Sequence, residues 1–180
     1  MARFTIVFAI ITLSLIIMQL LEPVQQAVIL PFTASIADFC TWLVQLFDGD
    51  AVSEGNIIRS LSSGHAIQIV AGCNGVEAMI ILFAALMAFP APWFYRMKGL
   101  FWGFIAIQAL NSVRIISLFY ILQWNQTWFE WFHLYVWQAL IILDALVVWL
   151  IWLRYLPGDK RNNPGNDDNH KGLDDLQAAA

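Results

Sequence analysis

Apolar positions fall into long blocks separated by short polar breaks, and the blocks predict the fold. The first block, residues 4–21, follows Arg3 and stops at Glu22-Pro23. It resembles a signal sequence, but no small-residue cleavage site follows, so the expectation is a retained transmembrane helix. At about 1.5 Å per residue it just crosses a hydrocarbon core of about 30 Å. Residues 75–89, 100–122 and 134–153 predict three further spans, the first of them closed by Pro90-Ala91-Pro92. Residues 24–47 are less apolar. From Ala34 onward, Ile36, Phe39, Cys40, Leu43 and Phe47 share one face, while Asp38, Thr41, Gln45 and Asp48 point elsewhere. That pattern predicts an amphipathic helix lying in the interface.

Residues 48–70 form the longest polar stretch before the C-terminal tail. Asp48-Gly49-Asp50 and Ser62-Ser63-Gly64 are turn signals, and residues 56–59 and 66–70 read as short strands. A small β-hairpin leading straight into Cys73 is expected. After Pro157 the chain turns rich in Gly, Asn, Asp and Lys, which predicts a disordered tail over residues 157–180 behind a single membrane domain, residues 1–156.

Composition fixes the class. Only 12% of the residues are charged and 60% are hydrophobic, whereas soluble domains carry about a quarter charged residues. The expected fold is therefore an all-α membrane protein: four transmembrane helices with an extracytoplasmic amphipathic helix and a small β-hairpin. The net charge of −4 says little about partners, because several acids lie in the tail. No nucleic-acid motif and no phosphate-binding loop is present. Arg3, Arg96, Lys98, Arg154, Lys160 and Arg161 all fall on the cytoplasmic side if four spans start inside. Cys73 and His133 then share the outer face.

The candidate chemistry gathers around Ala71-Gly72-Cys73-Asn74-Gly75-Val76-Glu77. Gly72 and Gly75 allow a sharp turn beside the thiol. A helix start just beyond should lower the thiol pKa. The letters Val70-Ala71-Gly72-Cys73 match a lipoprotein cleavage box, but the apolar core that such a box needs upstream is missing. Arg114 sits inside an apolar run, where a charge costs on the order of 3 kcal/mol. Asn111 and Ser117, three residues to either side, make a polar stripe that should face the bundle interior. Glu77 is the expected counter-charge for Arg114. His133, at the head of the last span, can take a proton near neutral pH. Asp144 falls on the same stripe, too deep to orient His133, and is expected to bond Gln108 or Asn111. His65 is a second candidate base. Cys40 reads as a small buried hydrophobe. No spacing of His, Cys, Asp and Glu resembles a metal site, and no cofactor is expected.

In order, Cys73-Asn74-Gly75, Asn111-Ser112-Val113-Arg114 and His133 resemble the motifs of the exosortase/archaeosortase family of membrane cysteine transpeptidases. The short chain with few spans before the cysteine is most similar to the exosortase H subgroup. Asn74 departs from the Ser or Thr that many relatives carry. The resemblance implies Cys73 as nucleophile, His133 as base and Arg114 as transition-state stabiliser, with Glu77 and Asn111 in support. It also implies partners: exported proteins ending in a short motif, one transmembrane helix and a basic tail, whose acyl group passes to a surface acceptor. The expected location is a bacterial inner membrane with the active site on the periplasmic face. The alternative is a non-catalytic membrane subunit or small transporter that uses Arg114, Glu77 and Asp144 to bind an ion or another subunit.

Overall fold

A computed structural model describes residues 2–155. The expected tail, residues 157–180, and His170 within it lie outside the described residues. The described chain runs α1 (Ala2–Gln19), α2 (Glu22–Gln45), β1 (Ala51–Glu54), β2 (Ile57–Ser60), β3 (Ala66–Gln68), α3 (Val76–Ala88), α4 (Trp93–Trp124) and α5 (Gln126–Arg154). It is a helical membrane protein with a small three-stranded sheet. Of the helices, α2, α4 and α5 are long and apolar enough to cross a membrane, while α1 and α3 are shorter apolar helices.

This layout revises the expected spans. The region read as an interfacial helix belongs to α2, one continuous apolar helix of 24 residues. Its buried face is Thr33, Ile36, Ala37, Cys40, Thr41 and Val44. Phe39 and Phe47, assigned from the sequence to the apolar face, are exposed. Small residues, not large ones, face the protein here. Pro31 lacks an N–H to donate back to residue 27, and the helix meets it through a π turn at Gln25–Ile29.

Helix α4 begins at Trp93, directly after Pro92, rather than at residue 100. Arg96 and Lys98, read as loop residues, occupy its first two turns. At 32 residues it is roughly 48 Å long, well over the thickness of a bilayer core. Only Asn125 separates α4 from α5. Its Oδ1 accepts from Thr127 N at 2.8 Å and Trp128 N at 3.3 Å, an N-cap that starts α5 well before the expected span.

The expected hairpin is present as β2 and β3, antiparallel, with Ile57 opposite Gln68 and Ile58 opposite Ile67. An unexpected strand, β1, pairs antiparallel on the other side of β2. Asp50 ties its start to the β2–β3 turn: its carboxylate accepts from Ser62 N and Ser62 Oγ, each at 2.7 Å, and from Ser60 Oγ. Those bonds hold the Asp50 carboxyl below its ordinary pKa. Helix α2 docks on the sheet through Gln45 Nε2, which donates to Ala51 O at 2.8 Å, and through Ser53 Oγ, which donates to Asp38 Oδ1 at 2.7 Å.

Two apolar cores result. One joins α2, the sheet and α4 through Cys40, Ile58, Ile69, Ile115 and Phe119. The other joins α3, α4 and α5 through Leu82, Leu86, Ile107, Ala145 and Trp152. The loop between β3 and α3 lies where these cores meet.

Candidate active site

The loop begins where the sheet ends. Ile69 N donates to Asn56 O at 2.8 Å, and Cys73 N closes a turn on Val70 O at 2.9 Å. Gly72 and Gly75 have φ of 84° and 76°, left-handed backbone that an L side chain strains. Between them, Cys73 is half-buried against the first core.

Asn74 anchors the loop from below and is 1% exposed. Its Oδ1 accepts from Val76 N at 3.1 Å, capping α3. Its Nδ2 donates to Thr33 Oγ1 at 3.1 Å, and its carbonyl accepts from Gln108 Nε2 at 3.4 Å. One side chain thus ties the loop to α2 and α3. The sequence reading treated Asn74 only as a departure from a motif. The available signal was a capping residue just ahead of an apolar helix.

Arg114 lies on the buried face of α4, 1% exposed. Its Nη1 donates to Gly72 O at 3.1 Å and its Nη2 to Cys73 Sγ at 3.5 Å. Arg114 Nε has no hydrogen-bond partner. The carboxylate expected as its counter-charge is engaged differently: Glu77 Oε1 accepts from Gly72 N at 2.9 Å. Glu77 and Arg114 both hold Gly72, one at its N–H and one at its carbonyl, and among the described residues no bond joins them directly.

Burial pushes the Cys73 thiol above its ordinary pKa. The Arg114 guanidinium pulls it back, and a backbone hydrogen bond from Val70 has a smaller effect in the same direction. The expectation of a lowered pKa is corrected here, because desolvation outweighs the favourable charge. The resting form is the neutral thiol. Alkylation of Cys73 by iodoacetamide should therefore rise with pH along a curve whose midpoint lies above the ordinary thiol range. Arg114→Gln removes the charge that opposes burial and should move that midpoint further up. A midpoint at or below the ordinary value, or no upward move in the variant, would contradict this balance.

His133 is not at a helix head. It lies within α5, in a π turn over Phe132–Val136. Its ring stacks on Phe129, centroids 5.5 Å apart and planes nearly parallel, and its Nδ1 has no partner. Phe129 and Cys73 pack against the same core, so the imidazole stands at the same end of the bundle as the thiol. Arg114 is near enough for its charge to act on His133. No hydrogen bond joins His133 to Cys73 among the described residues. His65 sits in the exposed β2–β3 turn, where its carbonyl accepts from Ser60 N. Asn111, 2% exposed, has neither amide atom paired. The bonds expected between Asp144 and Gln108 or Asn111 are not formed; Gln108 Oε1 is unpaired as well. Cys40 is fully buried and free, as its apolar setting predicted.

The arrangement places a thiol, a guanidinium with one unused N–H, and an imidazole with one unused nitrogen at one end of a membrane bundle. A family model described as transmembrane exosortase (Exosortase_EpsH) matches residues 2–153. No curated protein and no solved structure matches the chain.

Proposed function

The chain belongs to the transmembrane exosortase family, and from that premise we propose that it is a membrane cysteine transpeptidase with Cys73 as nucleophile. Family membership itself carries a general sorting or processing role at the membrane. The observation that most favours the specific reading is the guanidinium of Arg114, buried at real cost and set on Cys73 Sγ and the adjoining Gly72 carbonyl.

The reaction runs as acyl transfer. His133 takes the thiol proton as Cys73 Sγ attacks the scissile carbonyl carbon of the substrate. The carbonyl oxygen becomes an oxyanion, and Arg114, whose Nε–H is unused, stabilises it. Collapse breaks the C–N bond, the leaving amine takes the proton from His133, and a thioester remains on Cys73. An acceptor nucleophile or water then releases the acyl group and restores the thiol. A neutral resting thiol suits this sequence, since the proton leaves only when substrate is in place. Glu77 and Asn74 fix the loop that carries the nucleophile.

The substrates proposed are exported proteins that end in a short motif, one transmembrane helix and a basic tail. The site faces the periplasm of a bacterial inner membrane, and the product passes to a surface acceptor. The test is co-expression with an exported reporter carrying such a tail, in cells lacking related enzymes. The wild-type chain should process the reporter, and Cys73→Ala should leave it uncleaved. Normal processing by Cys73→Ala would sink the nucleophile assignment and return Arg114, Glu77 and Asp144 to a role in transport or assembly.

A further inference from the structure

Directly beneath the Cys73 loop, α3, α4 and α5 line a partly open cavity of about 190 Å³. Gly75 forms part of its wall. Most of the rest is aliphatic, with Leu110 and Leu140 on opposing helices. Three polar residues interrupt that lining: Asn111, Trp137 and Asp144. Asn111 Nδ2, Asn111 Oδ1 and Trp137 Nε1 are all buried and all without a hydrogen-bond partner. Unpaired polar groups in an apolar membrane setting are costly, and the Asn111 carboxamide has neither of its ends paired. It offers one donor and one acceptor side by side.

The chemistry narrows the occupant. No Lys or Arg lines the cavity and Asp144 does, so an anion such as a phosphate headgroup is disfavoured. A bare hydrocarbon chain would fit the walls but leave the Asn111 amide and the Trp137 N–H unmet. The volume is below that of pockets for whole small-molecule ligands or cofactors. What satisfies all three limits is an uncharged peptide unit carrying an aliphatic side chain. Its N–H and C=O complement the two ends of a carboxamide, a second carbonyl can accept from Trp137 Nε1, and its side chain meets Leu110 and Leu140. The position agrees, because Gly75, two residues from the nucleophile, forms the cavity's upper wall. A Cβ at Gly75 would stand 3.5 Å from Asn111 Nδ2.

We infer that this cavity is a subsite for one aliphatic residue of a peptide chain, with Asn111 gripping its backbone amide and Trp137 its neighbouring carbonyl. That the peptide belongs to the acyl donor rests on the function proposed above; that the cavity binds a neutral peptide unit does not.

The test uses the full chain in nanodiscs of zwitterionic phosphatidylcholine. The probe is a diazirine analogue of leucine, acetylated at its amine and converted to the methylamide at its carboxyl group. After irradiation, labelled residues are mapped by mass spectrometry. Label should concentrate at Leu110 and Leu140, and excess N-acetyl-leucine methylamide should compete it away. The matching methyl ester, whose carbonyl is a weaker acceptor than an amide's, should compete less well. Asn111→Leu keeps the bulk without the amide and should cut cavity labelling by about tenfold. Trp137→Phe should cut it several-fold. Labelling that spreads evenly over the lipid-facing surface would mean that the cavity does not select a peptide unit, and would overturn the inference. So would equal competition by the amide, the ester and a free fatty acid. If either variant fails to fold, competition on the wild-type chain still decides. Because no turnover is measured, the two claims fail separately: a reporter processed without Cys73 defeats the catalytic reading, and unselective labelling defeats the subsite.

Discussion

Arg114→Lys should slow processing of the tail reporter by about 10²–10³-fold, even though the positive charge is kept. In the structure the guanidinium has three tasks at three nitrogens. Nη1 holds Gly72 O, Nη2 reaches Cys73 Sγ, and Nε, buried and without a partner, is the donor that the proposed reaction leaves for the oxyanion. A planar fork meets those positions together, whereas an ammonium is a single point charge on a flexible stem. A lysine there can satisfy the loop carbonyl or the oxyanion, not both. Loss of one such transition-state contact is worth about 3–4 kcal/mol. The measurement is the initial rate at matched expression, with Cys73 alkylation as a check that the loop still stands. A fall of less than tenfold in a chain that alkylates normally would remove Arg114 from the oxyanion role.

Gly75→Ala should lower both the stability of the chain and its processing of the reporter. The φ of 76° costs an L residue about 1–2 kcal/mol. The new Cβ would also lie 3.0 Å from Gln108 Nε2, which must move and so loosen its bond to Asn74 O. Together these should lower stability by about 2–3 kcal/mol, with reporter processing reduced beyond that because the cap of α3 shifts with Asn74. Gly55→Ala is the matched control. Its φ is 59° and nothing lies within 4 Å of its added Cβ, so it bears the backbone cost alone. Thermal unfolding of both variants separates the two effects. Equal shifts would mean that Gln108 yields freely and does not restrain the loop.

Much of this architecture was legible in the sequence where one physical signal dominated. Pro90-Ala91-Pro92 ends one helix and opens the next, and the turn signals around Ser62-Ser63-Gly64 place β2 against β3. Strand β1 was not legible. Ala51-Val52-Ser53-Glu54 is short and half polar, and it is held by side-chain bonds from Gln45 and Asp38, which no local pattern announces. The start of α4 was hidden because Arg96 and Lys98 read as a loop, although their helix continues the apolar one. The buried face of α2 was read in part: Ile36 and Cys40 are in the core as expected, but Thr33, Ala37 and Thr41 join them in place of Phe39 and Phe47, small residues that allow close approach without a hydrophobic signature.

For the candidate site, residue types were legible and their bonding was not. Cys73, Arg114 and His133 stand out by chemistry alone, and the structure brings the first two into contact. A direct Glu77–Arg114 pair was the natural expectation for two buried opposite charges. It fails because the main chain of the Gly72 turn stands between them and offers each what it needs. The empty amide of Asn111 could not have been foreseen, since a sequence shows a polar stripe but not which members lack partners.

The grip on Gly72 has a consequence for how such a site can be dissected. Both charged side chains close on main-chain atoms of a residue that has no side chain of its own. A conventional scan that truncates side chains one at a time would register Arg114 and Glu77 and pass over the atoms that join them. The junction answers only to chemical editing of the main chain, such as an ester in place of the amide between Gly72 and Cys73, which weakens the carbonyl as an acceptor and also removes the Cys73 N–H that closes the turn on Val70 O. The geometry at the thiol is thus encoded in the path of the loop rather than in the identity of any group at its centre.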